Sequence, residues 1–285
     1  MWEVDEFIEI GLMDFDSRFF KDEILISGAK MFDDGCERCA LVDHQFHVRY
    51  YRRVNYQVTI LAAGMGTRLG KPFPKPLTPL VDGRTIMQQQ IENIHGVFGE
   101  SSRISIVVGF KMEMIMESFP RSIFIYNEEY DRTNTSKSLM RALASSFDGG
   151  VLWLNGDVVF DAKVLDRLKR FVDEDRSFVS VNTSAVGDEE VKYTVDSSGD
   201  IKELSKTVKG ALGEAVGINF ISSRDKASLL KHLIACDEGD YFERGLELAI
   251  EHDSLKVLPV DISDLFAVEV DFQEDLDRAN RGLGA

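Results

Sequence analysis

Four residue types crowd into a short span after an apolar run. In "ILAAGMGTRLGKPFPKPL", Ile60 to Leu77, Gly64 and Gly66 let the backbone turn sharply and expose successive N–H groups, while Arg68 and Lys75 bring two cations to the same place. A turn of N–H donors beside two cations suits a polyphosphate. The string is not a dinucleotide fingerprint, because "GMGTR" lacks the third glycine at its spacing, and it is not a Walker loop, because no Gly-Lys-Ser/Thr closes it. Two aspartates complete a candidate centre. Asp157 ends "VLWLNGD" and Asp271 ends "FAVEVD", each at the C-terminal end of an apolar strand, where carboxylates converge above a sheet and, with substrate phosphates, can hold magnesium.

The elements that position these groups follow a clear alternation from Gln57 onward. "QVTILAAG", "RISIVVGF", "SIFIYN" and "VLWLNGD" read as buried strands, separated by amphipathic helices. The first helix places Met87, Ile91, Ile94 and Phe98 on one face; a later one repeats the period through Val164, Leu165, Leu168, Phe171 and Val172. Such alternation means a mainly parallel sheet covered on both faces, an α/β fold with a three-layer α/β/α sandwich and a Rossmann-like core. Past Phe178 the pattern is mixed: a hairpin turning at Ser198-Gly199, a further strand in "GEAVGINFIS", two helices, two late strands and a closing helix at "FQEDLDRANRGL". This half is where an acceptor pocket is expected over the open end of the sheet.

The whole string "LAAGMGTRLGKPFPKPL" resembles the signature of the nucleotidyltransferases that join a nucleoside triphosphate to a phosphorylated sugar or alcohol. The match is close from Leu61 to Arg68 and at Pro74-Lys75. Within that superfamily "NEEYDRTNTSKSLMRAL" and "LNGDVVFD" look like the bacterial phosphocholine cytidylyltransferase branch, and the resemblance runs from about Val58 to the C-terminus. It implies that Arg68 and Lys75, with Gly64 and Gly66, hold the triphosphate. It further implies that Leu61, Ala62, Ala63, Thr67, Asn134, Ser136 and Ser138 line the nucleotide site, and that Asp157 and Asp271 hold Mg2+. The expected reaction is transfer of a nucleotide monophosphate from CTP to a phosphocholine-like or polyol phosphate with release of pyrophosphate.

Residue chemistry supports that reading independently. Attack of one phosphate on another is opposed by repulsion between anions, so the need is for fixed cations and a metal rather than for a protein nucleophile. For the acceptor, the choline branch implies a tryptophan near "DEEVKYTV", and this chain has Val191, Lys192 and Tyr193 there. Lys192 and Tyr193 are candidate acceptor contacts; Lys192 is equally a solvated strand lysine, and Trp153, inside a strand, reads as core. The departure keeps inositol, glycerol, another polyol or a sugar phosphate open. A sugar-1-phosphate nucleotidyltransferase shares the front motif but usually carries a glutamine and a Gly-Thr pair where this chain has "YDRTNTSKS". A non-catalytic regulatory relative would lack Arg68, Lys75 or Asp157, and all three are present.

Composition bounds the rest. At 285 residues, 44% of them hydrophobic, the chain can bury a sizeable core; a formal charge of −16 argues against a nucleic-acid or anionic-membrane partner. No stretch approaches the roughly 18 to 20 apolar residues of a membrane span, and the acidic "MWEVDEFIEIGLMDFD" does not read as a signal peptide, so the expected location is the cytoplasm. A homo-oligomer is compatible with all of this. Residues 1–55 read as an extension distinct from the nucleotidyltransferase domain at 56–285: α-helical, partly disordered, or an upstream stretch read through from an early start codon. The extension holds Cys36, Cys39, His44 and His47, which are zinc-type ligands. Their spacing is shorter than the roughly 12-residue spacer of a zinc finger, so an ordinary surface segment is the favoured reading.

Overall fold

A computed structural model describes the strands Ile24–Leu25, Arg38–Val42 and His47–Arg52 and residues 56–284, apart from 185, 188 and 189. The chain divides into two compact units, Met1–Val54 and Asn55–Ala285. In the first, β1 (Ile24–Leu25), β2 (Arg38–Val42) and β3 (His47–Arg52) form an antiparallel sheet in the order β1-β3-β2. The described part of this unit is therefore stranded rather than helical, in keeping with the β-branched and aromatic content of "HVRYYR". Of the four zinc-type residues, Cys39 lies in β2 and His47 in β3, while Cys36 and His44 lie outside the described residues.

The second unit is built on a nine-stranded sheet. β4 (Gln57–Ala62) lies parallel to β5 (Arg103–Val108) on one side and to β7 (Val151–Asn155) on the other, and β6 (Ile123–Tyr126) extends the β5 edge in parallel. The chain thus leaves β4 toward one side and later returns to its other side. This reversal opens a crevice at the carboxyl end of β4, where doubly wound sheets bind ligands. Beyond β7 come β12 (Gly213–Ile221), antiparallel, then the hairpin of β10 (Lys192–Val195) and β11 (Ile201–Ser205). β9 (Phe178–Asn182) also pairs with β12, and β13 (Leu258–Asp261) pairs with β9.

Alternation along β4 divides the core between the two faces. Ile60 points into one cluster with Ile106, Met87, Ile94, Ile115, Val164, Leu165 and Leu168; these helical residues come from α1 (Ile86–Phe98), α2 (Met112–Ser118) and α4 (Ala162–Asp173). Leu61 points into the other, with Val107, Leu139, Trp153, Leu229 and Leu246. There the cover comes from α3 (Thr135–Ala144), α5 (Lys226–Ala235) and α6 (Phe242–Asp253). Each fully buried Leu, Ile or Val contributes roughly 1.5–3 kcal/mol, so both helical layers are held by the sheet rather than by their own propensity. The result is the three-layer sandwich expected from the sequence. Trp153 is fully buried and packs edge-on against Phe242 at 5.5 Å, a core residue as its strand context implies.

One element was not legible in the pattern. After β7 the chain turns at Gly156-Asp157 into a short strand, β8 (Val158–Phe160), which pairs antiparallel with β14 (Ala267–Glu269) in a separate ribbon. A third apolar cluster anchors it: Val159, Val268 and Val270 pack with Leu80, Ile86 and, from α7 (Gln273–Leu283), Leu276 and Ala279.

Candidate active site

The β8–β14 ribbon brings the two aspartates together. Val270 N donates to Asp157 O at 3.0 Å, so the chain just after β14 lies against the β7–β8 turn. Asp271 is fixed in turn by α7, whose Asp275 Oδ2 accepts from the backbone N–H of Asp271 (3.1 Å) and Phe272 (2.9 Å). The β7–β8 turn is clamped from the other side by α1. Buried Gln90 donates through Nε2 to Asn155 O (2.9 Å) and Val158 O (2.8 Å). Gly156 sits against β4, its N–H donating to Leu61 O at 2.9 Å, and a Cβ at this position would meet that oxygen at 2.7 Å. Only glycine lets Asp157 approach the end of β4 this closely.

The glycine-rich loop enters from the opposite side. Gly66 has φ of +57°, and its Cα hydrogen faces Lys75, whose Cβ would lie 3.0 Å from an added Cβ. The loop continues through two 3-10 turns, Thr67–Leu69 and Lys75–Leu77, which carry Arg68 and Lys75. Lys75 is only 9% exposed, and its Nζ donates to Asp157 Oδ2 at 2.7 Å and Asp271 Oδ1 at 2.6 Å. Arg68 Nη1 reaches Asp271 Oδ2 at 2.8 Å from a much more exposed position. Burial alone would pull Lys75 down, but Asp157 and then Asp271 outweigh it and hold the ammonium above the ordinary lysine range. Burial pushes Asp271 up, and Lys75 and Arg68 outweigh that and hold it below the usual carboxylate range.

These residues border a cleft of about 240 Å3 at the carboxyl edge of the sheet. Among the residues expected at the site, Leu61, Ala62, Gly64, Gly66, Arg68, Lys75, Asp157 and Asp271 line it. Ala63 is buried beneath, its carbonyl accepting from Phe110 N, and Thr67 opens the first 3-10 turn. From α3 it is Thr135 that faces the cleft. Asn134 caps that helix through Thr135 N, Ser136 is buried, and Ser138 Oγ accepts from Asn127 Nδ2. Lys192 donates to Lys206 O, and Tyr193 is buried in the core beside Leu204; it is their neighbours Glu190 and Val191 that border the cleft.

Several lining residues lie outside the motifs read in the sequence. Glu269 lies two positions before Asp271, and its carboxyl is pushed well above the ordinary glutamate range by burial, then by Asp157, Asp271 and Glu190. An acid inside the apolar "FAVEVD" was the clue: alternation places Glu269 and Asp271 on one side of the chain. Lys206, Tyr241 and Glu243 line the cleft as well, and the charged groups around Glu243 are Lys206 and Glu247 rather than Lys75 or the aspartates. With Arg68 and Lys75, the lining holds five carboxyl groups and three cations.

The site has an observable fit to a divalent ion. Asp157 and Asp271 converge on one ammonium, and Asp157 Oδ1 is buried with no hydrogen-bond partner. Among the described residues, no group of three or more His, Cys, Asp or Glu side chains forms a cage for a metal. Magnesium does not require one, since it binds through one or two carboxylates plus substrate phosphates and waters.

A sheet that reverses about β4, a glycine loop with Arg68 and Lys75, and paired aspartates opposite define a nucleotidyltransferase fold. The chain belongs to the family described as the MobA-like NTP transferase domain, whose model matches residues 58–227. Among curated proteins it is 30% identical over 188 residues, 63% of this chain and 26% of the other, to the CMP-5'-(3-aminopropyl)phosphonate synthase of Streptomyces rubellomurinus. Across the first eight curated relatives it matches, the chain spans between 22% and 35% of their length. Among solved structures it resembles the CTP:phosphocholine cytidylyltransferase of Streptococcus pneumoniae, with a TM-score of 0.63 at 17% identity over 81% of this chain and 100% of that one. It likewise resembles the inositol-1-phosphate CTP transferase of T. maritima, with a TM-score of 0.64 at 16% identity over 80% of this chain and 95% of that one. No helix among the described residues is long and apolar enough to cross a membrane.

Proposed function

We propose that this chain transfers a nucleotide monophosphate, most simply CMP from CTP, to a small phosphorylated or phosphonate acceptor with release of pyrophosphate. The observation that carries the reading is the Lys75 ammonium, buried between Asp157 and Asp271 beside the Gly66 turn and Arg68. The exposed backbone of the loop, Arg68 and Lys75 bind the β- and γ-phosphates, which become the leaving group. An acceptor oxygen attacks the α-phosphorus; as that bond forms, the bond from the α-phosphorus to the bridging oxygen breaks and pyrophosphate departs with the electron pair. No protein nucleophile takes part. Lys75 is fixed in advance of the reaction, so its charge opposes the growing negative charge without a reorganisation cost. Mg2+ held by Asp157 and Asp271 would neutralise phosphate charge when bound. The CMP-forming relative and the two CTP-using structural neighbours favour CTP as the donor. The same relatives favour a phosphonate, phosphocholine-like or polyol phosphate as the acceptor. Pyrophosphate release, measured for CTP, UTP, GTP, ATP and dTTP against a panel of phospho-alcohols, aminoalkylphosphonates and sugar phosphates with magnesium, tests the assignment. Release with CTP and one acceptor class is expected; no release from any pair would remove it.

A further inference from the structure

The acids of the cleft fall into two groups that do different things. Asp157, Asp271 and Glu269 surround Lys75, where the phosphates are assigned. Glu243 stands apart from them. It sits in the first turn of α6, only 7% exposed, and its charged neighbours are Lys206 and Glu247 rather than Lys75 or the aspartates. Its Oε2 is buried and has no hydrogen-bond partner, and the residue borders the cleft. Leaving such an oxygen without a donor costs about 1–3 kcal/mol, and the fold gains nothing visible from it. A donor brought by a ligand would satisfy it. Tyr241, two residues earlier and 41% exposed, faces the same end of the cleft, and Lys206 Nζ lies 4.9 Å over its ring. Glu190 also borders the cleft, and its charged neighbours are Glu214 and Asp271, then Lys206. Lys206 is thus the one cation in the charge environment of both Glu243 and Glu190, which leaves these carboxyl groups short of positive charge.

Resting on the nucleotidyl-transfer reading above, we propose that Glu243, Glu190 and Tyr241 form a subsite for a primary ammonium group on the acceptor, making the substrate an aminoalkyl phosphate or phosphonate. Lys206 already demonstrates the chemistry: an ammonium rests against Tyr241 within the field of both carboxyl groups. The unpartnered Glu243 oxygen selects the kind of cation. A primary ammonium brings three N–H donors and satisfies it, whereas a trimethylammonium has none and is best held by several ring faces. Here Tyr241 is the one well-exposed aromatic ring on the lining; Phe242 is buried against Trp153. A polyol hydroxyl supplies a donor but no charge, so two carboxylates would remain opposed by Lys206 alone.

Steady-state kinetics on the full chain with CTP and magnesium, comparing phosphoethanolamine, phosphocholine, ethylene glycol monophosphate and 3-aminopropylphosphonate, test this. The kcat/KM for at least one amine is expected to exceed that of both the hydroxyl and trimethylammonium compounds by about tenfold or more. Glu243→Gln should raise the amine KM by about tenfold to a hundredfold and narrow the preference for the amine over the hydroxyl compound, with the KM for CTP moving much less, and Glu190→Gln should shift the amine KM in the same direction by less. The comparison of acceptors on the unaltered protein does not depend on either variant folding. Equal kcat/KM for amine and hydroxyl acceptors, or preference for the trimethylammonium, overturns the ammonium subsite and leaves nucleotidyl transfer standing. Absence of pyrophosphate from every nucleotide and acceptor overturns both.

Discussion

The two ends of the cleft treat their charges in opposite ways. At the phosphate end Asp157 and Asp271 share Lys75, and Arg68 adds a second contact to Asp271, with distances of 2.6 to 2.8 Å. At the other end Glu243 is as buried as Lys75 but its Oε2 has no hydrogen-bond partner, and burial pushes its carboxyl up to about 7. The first arrangement is a prebuilt electrostatic frame that is nearly neutral before any ligand arrives. The second is an unmet demand. Groups that are paired can serve stability and function together, whereas a buried unpaired acid weakens the fold and points to a ligand.

The largest effect expected from breaking the paired end comes from Lys75. Lys75→Ala should lower kcat by about two to three orders of magnitude, since losing one preorganised stabiliser of developing charge costs roughly 3–4 kcal/mol. Arg68→Ala should also lower turnover strongly, but with less effect on the thermal midpoint, because Arg68 is well exposed while Lys75 is the buried counter-ion of two carboxylates. Turnover in either variant equal to that of the unaltered protein would dissolve the phosphate assignment. Circular dichroism on each variant separates lost chemistry from lost fold.

Next come the aspartates, which should act as one unit. Asp157→Asn and Asp271→Asn are each expected to remove most of the magnesium-dependent rate, and the double variant to lose little more, because members of one constellation are strongly non-additive. Magnesium titrations at saturating CTP measure this. Independent, multiplicative losses would mean that the two carboxylates do not share an ion.

The same contrast governs what the sequence made legible. The loop from Gly64 to Lys75 was readable because its chemistry is local: the turn glycine, the two cations and the end of β4 all lie within one short segment. Asp157 and Asp271 were readable as strand-end acids, but what joins them was not. β8 and β14 are three residues each and pair across more than a hundred positions, held by Val159, Val268 and Leu276 rather than by any periodic signal of their own. Helix phase hid another detail. In "TNTSKS" the cap falls on Asn134, which turns Thr135 toward the cleft while Ser136 and Ser138 point inward. The unpaired end was least legible of all. Nothing in "GDYFERGLELAIEH" distinguishes Glu243 from Glu247 or Glu251; its burial follows from how Phe242 and Leu246 seat α6 against Trp153 and the sheet.

The smallest effect expected is on stability, and it sharpens the contrast most directly. Glu243 has its carboxyl near 7 in the folded protein and an ordinary value of 4.5 otherwise, the cause being burial, partly offset by its own backbone N–H and by Lys206, with Glu247 adding to the upward push. Between those two values the folded state binds more protons than the unfolded chain, so stability declines as pH rises through this window and stays reduced above it. Glu243→Gln keeps the shape and removes the titration. Its melting free energy should therefore exceed that of the unaltered protein at about pH 8 by up to about 3 kcal/mol, and the gain should vanish below about pH 4, where Glu243 is protonated in both states. The comparable change at the paired end, Asp271→Asn, should act in the opposite direction, because Asp271 is held below its usual range by Lys75 and Arg68 and supports the fold above that range. Chemical denaturation of both variants across that pH range measures the two slopes. A loss of stability in Glu243→Gln at high pH would show that the carboxylate is stabilised by the fold itself, and would remove the ground for treating that end of the cleft as waiting for a cation.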